Sequence, residues 1–453
     1  MIRHLIICGA NSDVVGRYVI PAIVELVEED ELPEGFTLVG VARQDWDDEA
    51  FRDHLLEELA EHAPDADDVA VRSLLEVASF HRADTTEVDE LRGLVDHGEP
   101  VAVYLALPPT IFAPTVQALD EVGLPDGSRI VVEKPFGEDL AAAQELNRVL
   151  HATFPEESIH RVDHFLGMQT VQNLLALRFA NRLLEPVWNA HHVERVDIVW
   201  DETLTLEGRA GYYDGTGALK DMLQNHLLQV LALVAMDAPA SLEAEELRGR
   251  KVQVLREVRV LSPEEAVEHS RRARYEAGEL DGESVPAYVE EEGVDPELDT
   301  ETLAELTLAI DSWRWAGVPF RLRAGKALGA DRQEVVVRLR PVPHSPFASD
   351  AAPNEIRIEL EPEHLHVHVN VFGGGTEQEL EVVDLDQELP APEVPAYGRV
   401  LRSALAGDPT LSIRDDEAEL AWRIVEPVLQ AWERGEVPMD TYPAGSDGPD
   451  GWS

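Results

Sequence analysis

Cysteine is nearly missing from this chain of 453 residues: Cys8 stands alone. A single thiol excludes an intrachain disulfide framework and fits a reducing, cytoplasmic setting. Long apolar runs are missing too. Nothing approaches the roughly 20 consecutive apolar residues that a membrane-crossing helix needs. The start, Met1 to Gly9, puts a basic flank before a short apolar stretch, which is too short for a secretory leader and runs straight into a strand–turn pattern. Positive charge is scarce: 37 Lys and Arg face 89 Asp and Glu, a formal net charge of −52. That balance excludes nucleic acid and anionic membrane as partners, since both are recognised through basic surface. The carboxylates are spread along the whole chain, which suits a surface adapted to high salt, where screening relieves self-repulsion. Lysine is the scarcest charge. Only Lys134, Lys220, Lys251 and Lys326 occur, and every other fixed cationic side chain is arginine. Where arginine has taken almost every position, a retained lysine marks a place that needs a compact ammonium.

What is present suffices for two packed interiors. Hydrophobic residues make up 44% of the chain, and the length exceeds one ordinary core. Residues 3–9 read as a buried strand, followed by a turn and an apolar helix from about Val14 to Val27. Further strands are expected at Phe36–Val41, Val101–Leu107 and Arg129–Glu133, with alanine-rich helices between them. This alternation predicts a doubly wound, Rossmann-like α/β domain over residues 1–160. The remainder, 161–453, changes texture. Helices over about 168–184 and 218–236 stand beside period-two segments at Val193–Trp200, Val335–Arg340, Glu355–Leu360 and His364–Val371. That pattern predicts an α+β domain with a large antiparallel sheet. The acidic stretch Glu276–Asp299 reads as an excursion over the surface. The glycine-punctuated tail after Tyr442 reads as loosely held.

After the first strand the chain reads Gly9-Ala10-Asn11-Ser12-Asp13-Val14-Val15-Gly16. Glycine at a strand–helix turn lets backbone approach a pyrophosphate, although a plain tight turn has the same composition. The second strand ends at Arg43, where NAD-binding folds place a carboxylate. A guanidinium there suits the 2′-phosphate of NADP, or simply balances charge.

Four further segments share an order and spacing: Val-Val-Glu-Lys-Pro-Phe-Gly over 131–137, Arg-Val-Asp-His-Phe-Leu-Gly over 161–167, the run 208–229 containing Lys-Asp-Met-Leu-Gln-Asn-His, and Trp-Arg-Trp-Ala-Gly-Val-Pro-Phe-Arg-Leu-Arg-Ala-Gly-Lys over 313–326. Together they resemble the glucose-6-phosphate dehydrogenase family, and the resemblance runs through Glu185–Asn189, Tyr397 and Ala444–Ser446 over essentially the full length. It implies oxidation of a hexose at C1 with hydride transfer to NADP (NAD possible). By resemblance His226 is the base and Asp163 its partner, a pairing suited to proton removal near neutral pH. Read without the family, His226 among Met222, Leu223 and Val230 fits a satisfied core histidine. The resemblance further implies that Lys134, His164, Glu202, Asp221, Lys326 and, with a one-residue shift past Asp331, Arg332 hold the sugar or its phosphate. Gly9, Ala10, Asn11, Ser12, Asp13, Arg43, Pro108 and Lys134 fall to the cofactor. No metal is expected in this set. A homodimer or homotetramer is implied by analogy.

The chain departs from the family pattern in a cluster. Ser12 replaces the second glycine of the first loop. Tyr18 stands where the family's first helix carries a phosphate-reaching lysine, and Phe165 and Met168 stand for the tyrosine and lysine of its His-Tyr-Leu-Gly-Lys motif. Lysine depletion alone would leave arginine at these places. Either Arg17, Lys134 or a relocated arginine takes the phosphate, or the substrate is a hexose without it or one differently substituted. A non-catalytic relative regulating an active enzyme would have no need to keep Asp163, His226, Lys134 and Lys326 together.

Overall fold

A computed structural model describes the chain apart from residues 95–97, 207, 209, 345, 348–350, 375–378 and 453, so Arg209 of the 208–229 motif lies outside the described residues. The chain forms two compact units. Unit 1 comprises Met1–Gln169, Pro239–Gly249 and Pro392–Glu419; unit 2 comprises Thr170–Ala238, Arg250–Ala391 and Leu420–Ser453. The division expected at residue 160 is a single cut, whereas the chain returns to unit 1 twice.

In unit 1 the strands are β1 (His4–Cys8), β2 (Thr37–Ala42), β3 (Ala78–Arg82), β4 (Val101–Leu105), β5 (Arg129–Val132) and β6 (Ile159–Val162). They lie in the order β3-β2-β1-β4-β5-β6, all parallel, with Ser412–Ile413 added antiparallel beside β6. Leu5, Ile6, Ile7 and Cys8 are all buried, as the central strand of a sheet covered on both faces requires. The strand order reverses between β1 and β4, and in such sheets ligands bind at that switch point, beyond the carboxyl ends of the strands. Glu156 fastens both returning segments. It accepts bonds from fully buried Arg161 and from Arg248, and from the backbone N–H of Asp415.

In unit 2, β7 (Val193–Asp201), β8 (Ser270–Glu276), a small hairpin β9 (Gly278–Leu280) and β10 (Glu283–Val285), β11 (Leu303–Ala309), β12 (Pro319–Gly325), β13 (Arg332–Leu339), β14 (Glu355–Glu359), β15 (His364–Phe372) and β16 (Leu380–Glu388) follow in turn. Apart from the hairpin they form one nine-stranded sheet, β16-β15-β14-β13-β7-β12-β11-β8, closed by Met439–Pro443. The expected large sheet is there, and it is mixed rather than wholly antiparallel. β7 runs parallel to β12, and Met439–Pro443 parallel to β8.

Two readings of unit 2 are corrected. The segment Glu276–Asp299 is not a surface excursion throughout: it holds the β9–β10 hairpin, and Tyr288 is buried with its hydroxyl donating to Asp214 Oδ1 at 2.5 Å. The tail is tied down as well. Gly445 N–H donates to Ala327 O, Gly329 N–H to Ser446 O and Arg323 to Asp447 O, each at 2.9 Å. Gly445 adopts φ +83°, and a Cβ there would lie 2.0 Å from Glu279 O, so the tight packing itself demands glycine.

Candidate active site

The residues of unit 1 that the resemblance implies for the cofactor lie at the carboxyl ends of the strands, around the switch point. Gly9 leaves β1 with φ +88°, and a Cβ on it would sit 2.2 Å from the carbonyl oxygen of Ala106 beyond β4. Only glycine fits between these strand ends. Ala10 is buried, Asn11 and Asp13 are exposed, and the Ser12 hydroxyl is buried without a hydrogen-bond partner among the described residues. An orphaned buried hydroxyl in a strand–helix turn is a group awaiting a polar ligand. Arg43 is exposed just past β2, and Pro108 just past β4. The residues present thus fit a dinucleotide whose ribose carries a phosphate.

Lys134 follows β5 and is half-buried beside the buried Glu133. Burial pushes the Glu133 carboxyl up to about 7, against the opposing pull of the Tyr104 hydroxyl bonded to it and of the Lys134 ammonium. Asp163 is buried at the end of β6, where Oδ1 accepts the N–H of Phe165 at 3.0 Å and caps the short turn 164–167. That turn presents His164. Its ring stacks on Tyr397 at 4.9 Å, and Tyr397 stacks in turn on Tyr18 at 5.0 Å. Three rings therefore form a continuous stack that includes Tyr18, the position where the resemblance leads one to expect a lysine. Arg17, one residue away, has Nε 3.8 Å from Asp13.

Unit 2 builds a second set. Because β7 and β12 are parallel and in register to Asp201↔Gly325, their ends present Glu202 and Lys326 side by side. Lys326 Nζ lies 2.6 Å from Glu202 Oε2, while Trp200 Nε1 donates to Oε1 at 3.1 Å. The Lys326 backbone is fixed by its N–H donating to Thr302 O and its carbonyl accepting from Tyr442, and its ammonium sits 5.7 Å over the Tyr213 ring. The helix packed on this face begins as a π-helix over Leu219–Leu227, a winding found often at functional sites. It carries half-buried Lys220 and Asp221, the latter accepting from Tyr212 at 3.3 Å, and buried His226. Asn225 donates to Lys220 O and accepts from the His226 N–H.

Arg332 is not brought to this cluster. It meets Asp201 Oδ2 at 2.8 Å, and Asp201 points to the sheet face opposite Glu202. Asp331 instead accepts the N–H of Thr203. Sequence reasoning singled out neither Lys220 nor Glu301. Lys220 carried a signal, being one of four lysines. Glu301 accepts the Leu219 N–H at 2.9 Å and so starts the π-helix, through a contact 82 residues apart that no local pattern announces.

Comparison with known proteins decides the family. Residues 6–173 match the model of the glucose-6-phosphate dehydrogenase NAD binding domain, and 175–453 that of its C-terminal domain. The chain belongs to the glucose-6-phosphate dehydrogenase family. Membership makes it an NADP-dependent oxidoreductase acting on a sugar CH–OH group. It is 40% identical to glucose-6-phosphate 1-dehydrogenase 2 of Mycobacterium tuberculosis over 98% of this chain and 91% of that one. It is 38% identical to the glucose-6-phosphate 1-dehydrogenase of Treponema pallidum over 98% and 92%. A solved glucose-6-phosphate dehydrogenase in complex with glucose-6-phosphate superposes with a TM-score of 0.90 at 32% identity, covering 99% of this chain and 96% of that one. The Mycobacterium avium enzyme gives 0.86 at 35%, with the same coverage. Among the described residues no helix is long and apolar enough to cross a membrane.

Proposed function

We propose that the chain is a cytoplasmic glucose-6-phosphate 1-dehydrogenase, oxidising the sugar at C1 to the 1,5-lactone. The observation that carries this reading is the Glu202–Lys326 pair, clamped at 2.6 Å at the parallel ends of β7 and β12 and built around a lysine in a chain with four. Carboxylate and ammonium so fixed bind sugar hydroxyls in one orientation, with Asp221 adding a second acceptor. His226 takes the C1 hydroxyl proton, and Asp163 stabilises the imidazolium. NADP, when bound, supplies the acceptor for the hydride leaving C1. Gly9 and Ser12 approach its diphosphate, Arg43 meets its 2′-phosphate, and Pro108 and Lys134 border it. The exposed apolar residues Val371, Phe372, Val383 and Leu385 on β15 and β16 favour assembly into a homodimer or homotetramer.

One observation favours a second reading. Tyr18 lies in a ring stack with Tyr397 and His164 where the family carries an ammonium. Two phenols and an imidazole hydrogen-bond a phosphate more weakly than ammonium groups do, and also suit a plain 6-hydroxyl. Initial rates of NADP reduction with glucose 6-phosphate and with free glucose, in molar KCl, separate the two. A kcat/KM preference for the phosphosugar is expected; preference for glucose assigns the stack to an unphosphorylated hexose, and turnover of neither overturns both.

A further inference from the structure

On the charged face of the unit 2 sheet, most carboxylates are neutralised by guanidinium groups. Arg195 meets Asp197, Arg357 meets Glu334, and Arg338 and Arg357 flank Glu355. At the free edge the pattern changes. His364, His366 and His368 alternate along β15 and therefore project to one side. They stand in register with Glu388, Asp386 and Asp384 of β16 and with Glu359, Arg357 and Glu355 of β14. A guanidinium has no lone pair to give, whereas a neutral imidazole has one. The row of histidines adds a ligating capacity that arginine would not.

His366 is held in the orientation a ligand needs. Its Nδ1 lies 2.8 Å from Asp384 Oδ2. Nε2, across the ring, has no hydrogen-bond partner among the described residues, and lies 3.4 Å from Glu359 Oε1 and 3.7 Å from Asp386 Oδ1. The same Asp386 oxygen is 2.9 Å from His364 Nδ1. Glu359, His364 and His366 each bring a ligand atom within 4.8 Å of the others. A tetrahedral ion with bonds of about 2.0–2.2 Å holds its ligands about 3.3–3.6 Å apart, so small side-chain movements close the set. An Nδ1–H bonded to a carboxylate leaves the lone pair on Nε2, the arrangement that metal-bound histidines adopt. Mixed imidazole and carboxylate donors select first-row divalent ions over calcium and magnesium, which take oxygen.

We propose that Glu359, His364, His366 and Asp386 bind one divalent transition-metal ion of the zinc type, tying β14, β15 and β16 together at the sheet edge. β16 is exposed along almost its whole length and, among the described residues, pairs with β15 alone, so it is the strand that such a tie secures. The ion has no part in the hydride chemistry.

The test is zinc titration of the tag-free, chelator-stripped full-length chain by calorimetry, with metal content read by mass spectrometry. One zinc per chain is expected, together with an unfolding temperature that climbs with zinc concentration and an unchanged kcat. The H364N/H366N double variant should lose at least tenfold in affinity, and H191Q/H192Q, which alters the adjacent pair His191 and His192 elsewhere on the surface, should not. E359Q keeps both imidazoles and serves if the double variant fails to fold. It too should weaken binding. No zinc bound at 100 μM, or equal binding by wild type and E359Q, overturns the proposal.

Discussion

The proposed function puts the chemistry on His226 and leaves the phosphate question to positions such as Met168, so each can be tested by a single substitution. His226 is buried on the π-helix, and its N–H is taken by Asn225 at 2.5 Å, so the backbone holds the residue whatever the ring does. His226→Asn should leave the fold and NADP affinity in place and lower kcat by about 10²–10⁴, the usual contribution of a positioned base. Retention of full kcat would remove the imidazole from the mechanism. Met168 is half-buried, directly after the turn that carries His164. Met168→Lys restores an ammonium beside the ring stack. A charge-assisted bond to phosphate contributes about 1.5–3 kcal/mol, so KM for glucose 6-phosphate should fall about ten- to a hundredfold with KM for glucose unmoved. Equal KM values in variant and parent would show that phosphate is held elsewhere.

The π-helix over Leu219–Leu227 is an element set by a distant carboxylate. Glu301 accepts its first N–H, and burial pushes that carboxyl from its ordinary 4.5 up to about 7. In the unfolded chain the group ionises near its ordinary value. Between these two values the native state binds more protons than the unfolded one, so this group makes stability fall as pH rises through that window. Glu301→Gln keeps an acceptor for Leu219 and removes the titration. Its advantage over the parent should grow from about pH 4.5 to pH 7, reaching on the order of 3 kcal/mol, read as diverging urea midpoints. Parallel pH profiles would show that Glu301 does not titrate there. Such long-range contacts mark the limit of what the sequence discloses. β1, β2, β4 and β5 were legible because strands buried on both faces are continuous apolar runs, whereas β3 (Ala78–Arg82) and β6 (Ile159–Val162), which carry Ser, His and Arg, offered no such run. The acidic stretch 276–299 and the tail were misread because their composition is that of solvent-facing chain. What holds them is backbone bonding and two tyrosines, Tyr288 and Tyr442, reaching residues far away in sequence. The returns of 239–249 and 392–419 to unit 1 hang on Arg161, Arg248 and Asp415 converging on Glu156, which no local periodicity encodes. The proposed site residues stand as types in motifs; the pairing of Glu202 with Lys326, and its separation from Arg332, depend on the parallel register of β7 and β12.

Over the whole molecule the 89 carboxylic side chains outnumber the basic ones by more than two to one. Local pairing neutralises part of the excess, as along the charged face of the unit 2 sheet, and the remainder repels itself across the surface. Self-repulsion acts against the compact state and is screened by salt over a Debye length of about 10 Å at 0.1 M and 3 Å at 1 M. The unfolding temperature should therefore rise steeply between 0.1 and 1 M NaCl. Screening saturates there, since by 1 M the Debye length is shorter than the spacing of most surface charges. A further rise beyond 1 M would have a different origin, the strengthening of apolar burial by excluded salts, and sulfate would then outperform chloride at equal ionic strength. Melting curves in NaCl and Na2SO4 at matched ionic strengths from 0.1 to 3 M, followed by circular dichroism, distinguish these contributions. A curve flat from 0.1 to 1 M would mean that the ion pairs already neutralise the surface, and that the acidic composition does not make the fold depend on salt.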